Sequence, residues 1–156
     1  GYHYGRDGIL HYLDYPGQSS IGLKNAIVEV FGSLQEGLIV SHVYKSPTPA
    51  MTLGKISKAV AHDAKAGEAY ALASVEKNTL RLAKVVAAHV EQYHSKQREI
   101  AIILAGGVWK SANVIREQFE LHLKMLLPAT TIEVNRVTRP PLYGAVELAK
   151  EMHHRN

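Results

Sequence analysis

The residues with the clearest chemical potential form one stretch, Ile103-Leu104-Ala105-Gly106-Gly107-Val108-Trp109-Lys110-Ser111. An apolar, strand-like run ends in two glycines, and a helical pattern begins a few residues later. Glycines let the backbone turn sharply and let a ligand approach the main chain. A helix start beyond them presents unpaired N–H groups that suit a phosphate. The chemistry implied is nucleotide binding. The spacing matches neither G-x-G-x-x-G nor G-x-x-x-x-G-K-[ST], so neither a dinucleotide fingerprint nor a P-loop is present. A tight strand-to-helix turn without any ligand accounts for the same Gly-Gly pair, and that alternative stays open.

Other candidate groups point to blander roles. Among the nine histidines, Glu91 and His94 stand at i, i+3, His89 lies on a different helical face, and His153 and His154 are adjacent. No H-E-x-x-H pattern and no histidine pair at i, i+4 on one face occurs, so solvated surface histidines are expected rather than a transition-metal site. Asp7, Asp14 and Asp63 have no paired carboxylate at a catalytic spacing and read as caps or solvated charges. Trp109, the sole Trp, reads as a core or hinge-packing aromatic, the alternative being a place beside the nucleotide. Tyr2, Tyr4, Tyr12 and Tyr15 cluster near the start. They suit either a sugar subsite or the cover of a domain interface, and the interface is the preferred expectation.

Composition bounds these options. The chain has 156 residues, 46% of them hydrophobic and 21% charged. That suffices for a real core and excludes a disordered polyelectrolyte. The absence of Cys excludes a disulfide framework, thiolate metal sites and a cysteine nucleophile. The net charge is +4. Lys and Arg are scattered with no basic run and no aromatic ladder, so no nucleic-acid partner is expected. No apolar run approaches the roughly 20 residues of a membrane span, so no membrane partner is expected.

The elements that must position the Gly-Gly stretch follow from periodicity. Ser19 or Ser20 caps a helix through Ala26, Ile27, Val30 and Phe31 that ends near Gly32. A short helix carries Leu34, Leu38, Ile39 and Val43, and Pro47 and Pro49 interrupt the pattern. Thr52 is the expected cap of the next helix, whose apolar face is Leu53, Ile56, Val60 and Ala64 and which stops near Gly67. The longest helix is predicted from about Glu68 to His94, with Leu72, Val75, Thr79, Leu82, Val86, Val90 and Tyr93 along one face. Ile100 to Leu104 reads as a strand covered on both faces. Ser111 then opens a helix through Val114, Ile115, Phe119, His122, Leu123 and Leu126, with Glu120 and Lys124 placed for an ion pair. Thr131 to Val137 alternates as a less buried strand, and a last helix is predicted from about Leu142 to Met152. Two strands joined by a helix are expected to run parallel. A doubly covered strand needs more neighbours than one, so only part of a sheet is expected.

The stretch Ala105-Gly106-Gly107-Val108-Trp109-Lys110-Ser111 resembles the adenosine motif of actin-like and hexokinase-like sugar kinases. More narrowly it is similar to the N-acetylglucosamine kinase and BadF-type ATPase family. Gly1-Tyr2-His3-Tyr4-Gly5-Arg6 resembles the segment after that family's Gly-Asp-Glu-Gly-Ser sugar site. His42-Val43-Tyr44, the turn Ala64-Lys65-Ala66-Gly67-Glu68 and Tyr143-Gly144-Ala145-Val146 resemble further family segments in the same order. The resemblance covers essentially the whole chain, and Val-Trp-Lys-Ser is its most specific part.

The resemblance implies an α/β, helix-rich, ribonuclease-H-like (actin-like ATPase) C-terminal domain with a partial parallel sheet. Residues 1–97 would form its mainly helical part and 98–156 a strand-helix-strand-helix adenosine-binding part, with the N-terminal domain absent. The implied cofactors are ATP and Mg²⁺. Gly106, Gly107 and Val108 would pass close to the nucleotide, Lys110 would reach phosphate or solvent, Ser111 would cap the following helix, and Leu53 and Gly54 would line the other side of adenine. Gly144 and Ala145 would permit close packing of the last helix at a hinge. The family's catalytic Asp, Asp-Gly-Gly and Gly-Thr-Gly motifs lie upstream of the segment matching Gly1, so no catalytic residue is assigned here. The implied whole is a cytoplasmic kinase converting N-acetylglucosamine to its 6-phosphate, with this chain inactive alone. The partners would be ATP and amino sugar shared with the missing domain, and a homodimer stays open. Alternatives are a glucosamine kinase or other BadF-type ATPase, and a non-catalytic kinase-like binding or regulatory module. The opening residue Gly1, rather than Met, agrees with a piece of a longer protein.

Overall fold

The computed structural model describes residues 1–137. The predicted last helix and the Tyr143-Gly144-Ala145-Val146 segment lie outside the described residues. The architecture is helix-rich with a small parallel sheet, a mixed α/β arrangement.

Helix α1 (Tyr2–Asp14) opens the chain. Its place was hidden by Gly5 and Gly8 and by the charged Arg6, Asp7 and Asp14, which blur the 3.6-residue period. It packs closely on α4 (Pro49–Ala66), because Gly5 brings the two backbones together: a Cβ there would sit 1.7 Å from the carbonyl oxygen of Leu53. Tyr4 and Tyr12 are buried in the core, whereas Tyr2 and Tyr15 are exposed. The aromatic cluster is thus split by helical phase, and the Tyr12 hydroxyl donates to the Leu34 carbonyl at 2.8 Å.

Helix α2 (Ile21–Phe31) begins at Ser20, whose Oγ accepts from the Leu23 N–H, and ends at Gly32 with φ +71°. Both boundaries match the sequence expectation. Helix α3 (Glu36–Lys45) buries only Ile39. Helix α4 starts earlier than expected: Thr48 is its N-cap residue and Pro49 occupies the first turn. Proline's fixed φ and missing N–H suit that position, so the break and the start are one feature. Thr52 lies inside the helix, where its Oγ1 bonds to the Thr48 carbonyl and the Ser46 hydroxyl. Leu53, Ile56, Val60 and Ala64 form the buried face as expected, and Gly67 closes the helix at φ +91°.

Helix α5 (Ala69–His94) has the expected extent, but its buried face is rotated from the one predicted. Ala71, Ser74, Val75, Asn78, Thr79, Ala83, Ala87 and Val90 are buried, while Leu72, Leu82 and Tyr93 are exposed. Small side chains let α1, α4 and α7 come close, and the larger ones fall at the margin of those contacts.

Strand β1 (Glu99–Leu104) pairs in parallel with β2 (Thr131–Arg136), from Glu99 opposite Thr131 to Leu104 opposite Arg136. The parallel pairing and the alternation of β2 match expectation. The double coverage of β1 does not: Ile103 is 59% exposed, and only Leu104 is fully buried. Among the described residues, helices cover one face of the sheet and none packs on the opposite face. The crossover consists of a single turn, α6 (Val108–Ser111), and α7 (Asn113–Leu126). Phe119, Ile115 and Leu123 anchor α7, and Glu120 pairs with Arg116 at 3.2 Å rather than with Lys124. A continuous core runs from Tyr4 through Ile27, Ile56 and Val60 to Trp109 and Phe119.

Candidate functional site

The carboxyl end of β1 delivers the backbone directly to the turn. Leu104 is buried and its carbonyl accepts the Val137 N–H at 3.0 Å, which locks the strand end beside the end of β2. Ala105, Gly106 and Gly107 then emerge into solvent. Gly106 has φ +108°, a conformation open to glycine and strained for L side chains. A Cβ on Gly106 or Gly107 would meet no heavy atom within 4 Å, so the turn presents bare main chain to open space. Crevices at the carboxyl ends of parallel strands are where open α/β sheets take ligands.

Val108 is half-buried and begins α6. Trp109 turns inward, 8% exposed, with its ring 5.2 Å from Phe119. It packs as a core aromatic and holds the turn in place from behind. Lys110 is exposed beside the turn. Arg136 reaches across from β2 and donates from Nη1 to the Trp109 carbonyl at 3.2 Å. Two cations therefore stand at this end of the sheet, and the segments 104–112 and 134–137 contain no carboxylate.

Ser111 does not cap α7. It ends α6, and its Oγ donates back to the Gly107 carbonyl at 3.2 Å. The same carbonyl accepts the Lys110 N–H at 3.0 Å, so the hydroxyl is its second donor and tightens the single turn. Ala112, which precedes α7, has no side chain to cap with. Leu53 and Gly54 lie on α4, the helix that touches α6. Leu53 is a core side chain, and Gly54 is half-buried with open space where a Cβ would project. The chain thus groups Gly106, Gly107, Val108, Lys110 and Ser111 in one turn, with Gly54 on an adjoining helix.

Two polar clusters were not foreseen. Asp7, expected as a cap or a solvated charge, accepts from Ser74 Oγ at 2.7 Å and Asn78 Nδ2 at 2.8 Å, and pairs with Lys77 at 2.9 Å and Arg6 at 3.3 Å. Burial pushes its pKa up, but the hydrogen bonds from Lys77, Ser74 and Asn78 and the Lys77 charge prevail and hold the carboxyl below its ordinary value. The same burial, with the Asp7 charge, pushes the Tyr4 phenol up to about 12. Asp63 is also buried, and accepts from Ser20 Oγ at 2.8 Å and from the Tyr70 hydroxyl. Burial and then the Asp63 bond push the Tyr70 phenol well above its ordinary value, so it acts as a neutral donor. His11 stacks on the Tyr70 ring with centroids 3.8 Å apart. Both carboxylates are fully engaged with donors from neighbouring helices, which makes them structural joints rather than free bases. Ser74 and Asn78, polar residues at i, i+4 within a buried helical face, were the sequence signal for the first cluster.

Two open grooves lie away from the turn. One, of about 340 Å³, runs between α1 and α5 past Asp7, Leu10, His11, Tyr70 and Lys77. The other, of about 460 Å³, lies between α2 and α3 at Phe31, His42 and Lys45. No family model matches this chain, and no curated protein matches it either.

Proposed function

We propose that this chain is the nucleotide-side part of an ATP-dependent amino-sugar kinase with a ribonuclease-H-like, actin-like ATPase fold. The observation that carries the reading is the bare Gly106-Gly107 turn at the carboxyl end of β1, with Lys110 and Arg136 beside it. The main chain of Gly106, Gly107 and Val108 would lie against adenosine. Lys110 would meet phosphate, and Gly54 would close the opposite side. Mg²⁺ would arrive with ATP. The family's phosphate and sugar motifs have no counterpart among these 156 residues, so the chain alone binds nucleotide without transferring phosphate. The whole enzyme would act in the cytoplasm, with N-acetylglucosamine as its acceptor.

The test is calorimetric titration of ATP–Mg²⁺ into the chain and into Gly107→Trp. At φ −69°, and with no heavy atom within 4 Å of an added Cβ, Gly107 accepts a side chain without backbone strain. Binding that is lost in the variant supports the site, and equal affinity in both refutes it. Phosphorylation of N-acetylglucosamine by the chain alone would show that catalysis does not depend on the missing motifs.

A further inference from the structure

Helix α4 is the most enclosed long element of the structure. α1, α2, α5, α6 and α7 all pack on it. Between Thr52 and Lys65 its only exposed residues are Lys55, Lys58, His62 and Lys65. They recur with alternating steps of three and four, the 3.5-residue period of a straight helical seam. At about 1.5 Å per residue, Lys55 to Lys65 spans about 15 Å. Met51, 68% exposed, continues the seam toward the start of the helix.

Nothing among the described residues pairs with this seam: none of its four basic side chains forms an ion pair. The one acid of α4, Asp63, is buried and bound to Ser20 and Tyr70. Lys55 and Lys58, three apart on the helix, repel, where alternating signs would stabilise it. The shoulders of the seam are Gly54 and Ala59, both half-buried, and a Cβ at Gly54 would meet nothing within 4 Å. No bulky side chain keeps a partner away from the lysines.

We infer that this seam docks an acidic α-helix of a protein partner, one carrying carboxylates at matching steps of three and four. The shape selects this partner. A single narrow row at a heptad period fits another helix lying alongside. A membrane surface calls for an apolar helical face free to insert, and that face of α4 is already in the core. Base readout and base stacking call for arginines or aromatics among the cations, and the seam has neither. The seam shares Gly54 with the proposed nucleotide site, but its lysines stand outside that site and do not rest on that reading.

The test uses the full chain with a synthetic helical peptide of about three heptads carrying Glu at the a and e positions. A peptide of identical composition in scrambled order is the control. Affinity is read by fluorescence anisotropy at low salt, and the contact by amide chemical-shift changes. The heptad peptide is expected to bind about tenfold tighter than the scrambled one and to shift the amides of α4. Lys55→Gln/Lys58→Gln should weaken binding about tenfold, weakening further with salt, and the off-seam variant Lys124→Gln should leave it unchanged. Equal affinity for both peptides overturns the proposal. So does unchanged binding by the double variant, or tighter binding to phosphatidylserine vesicles or duplex DNA than to the heptad peptide.

Discussion

Gly5→Ala puts the helical architecture to its sharpest test. On helix propensity alone the substitution stabilises α1 by about 1 kcal/mol. The tertiary structure reverses the sign. The new methyl would stand 1.7 Å from the Leu53 carbonyl oxygen and 2.6 Å from its carbon. Both are backbone atoms of α4, which no rotamer change can move aside. Relief requires α1 and α4 to separate locally by more than about 1 Å, and a gap of that size forfeits roughly half of the dispersion attraction across it. Tyr4, Ile9, Leu53, Ile56 and Val60 belong to the core at this contact. Full burial of such side chains stabilises by about 1.5–3 kcal/mol each, so a partial loss shared among them costs about 4 kcal/mol. Subtracting the propensity gain leaves a net destabilisation of about 3 kcal/mol. For a chain of this length that lowers Tm by roughly 6–12 °C. Urea unfolding followed by circular dichroism measures the difference. A variant as stable as the parent, or more stable, would refute the backbone contact between α1 and α4.

Three further outcomes are expected. Gly54→Ala, also mid-helix but facing open space, should raise stability by about 0.5–1 kcal/mol in urea unfolding while weakening ATP binding if Gly54 borders adenine. Asp7→Asn should cost about 1–3 kcal/mol at neutral pH, because the donors from Ser74 and Lys77 lose a charged acceptor. Since the folded carboxyl titrates below its unfolded value, that stability is present above about pH 4 and is lost as pH falls through the folded pKa. The difference between parent and variant should therefore shrink in acid unfolding curves. Phe119→Ala removes a side chain that is 1% exposed and backs Trp109, and should cost about 3–5 kcal/mol with a red shift of Trp109 fluorescence.

Where an element's ends depend on local chemistry, they could be read from the chain. Ser20, Gly32 and Gly67 act through their own side chain or through their freedom at positive φ, so α2 and the end of α4 stand where expected. The buried face of α5 was less legible. Apolar spacing favoured Leu72, Leu82 and Tyr93, yet the neighbours approach over Ala71, Ala83 and Ala87. Small residues carry little hydrophobic signal, and their value lies in the closeness they permit. Helix α1 was obscured for a related reason, since Gly5 and Gly8 weaken local propensity while serving a contact nearly 50 residues away. Ser111 looked like a cap because caps and back-bonding hydroxyls share residue types, and only the one-turn length of α6 separates them.

By itself the sequence determined the strand–Gly-Gly–helix turn, the parallel pairing of the two strands and the resemblance that points to a nucleotide. These rest on neighbouring residues or on the order of elements. Only the tertiary structure decided which residues meet across distance. It drew Asp7 to Ser74 and Asn78, and Asp63 to Ser20 and Tyr70. It left Ile103 of β1 exposed, with no helix among the described residues on that face. It also enclosed α4 until, between Thr52 and Lys65, its solvent side was reduced to Lys55, Lys58, His62 and Lys65. Helical period alone places those residues on one side, but the enclosure of the rest of the helix follows from how the surrounding helices pack.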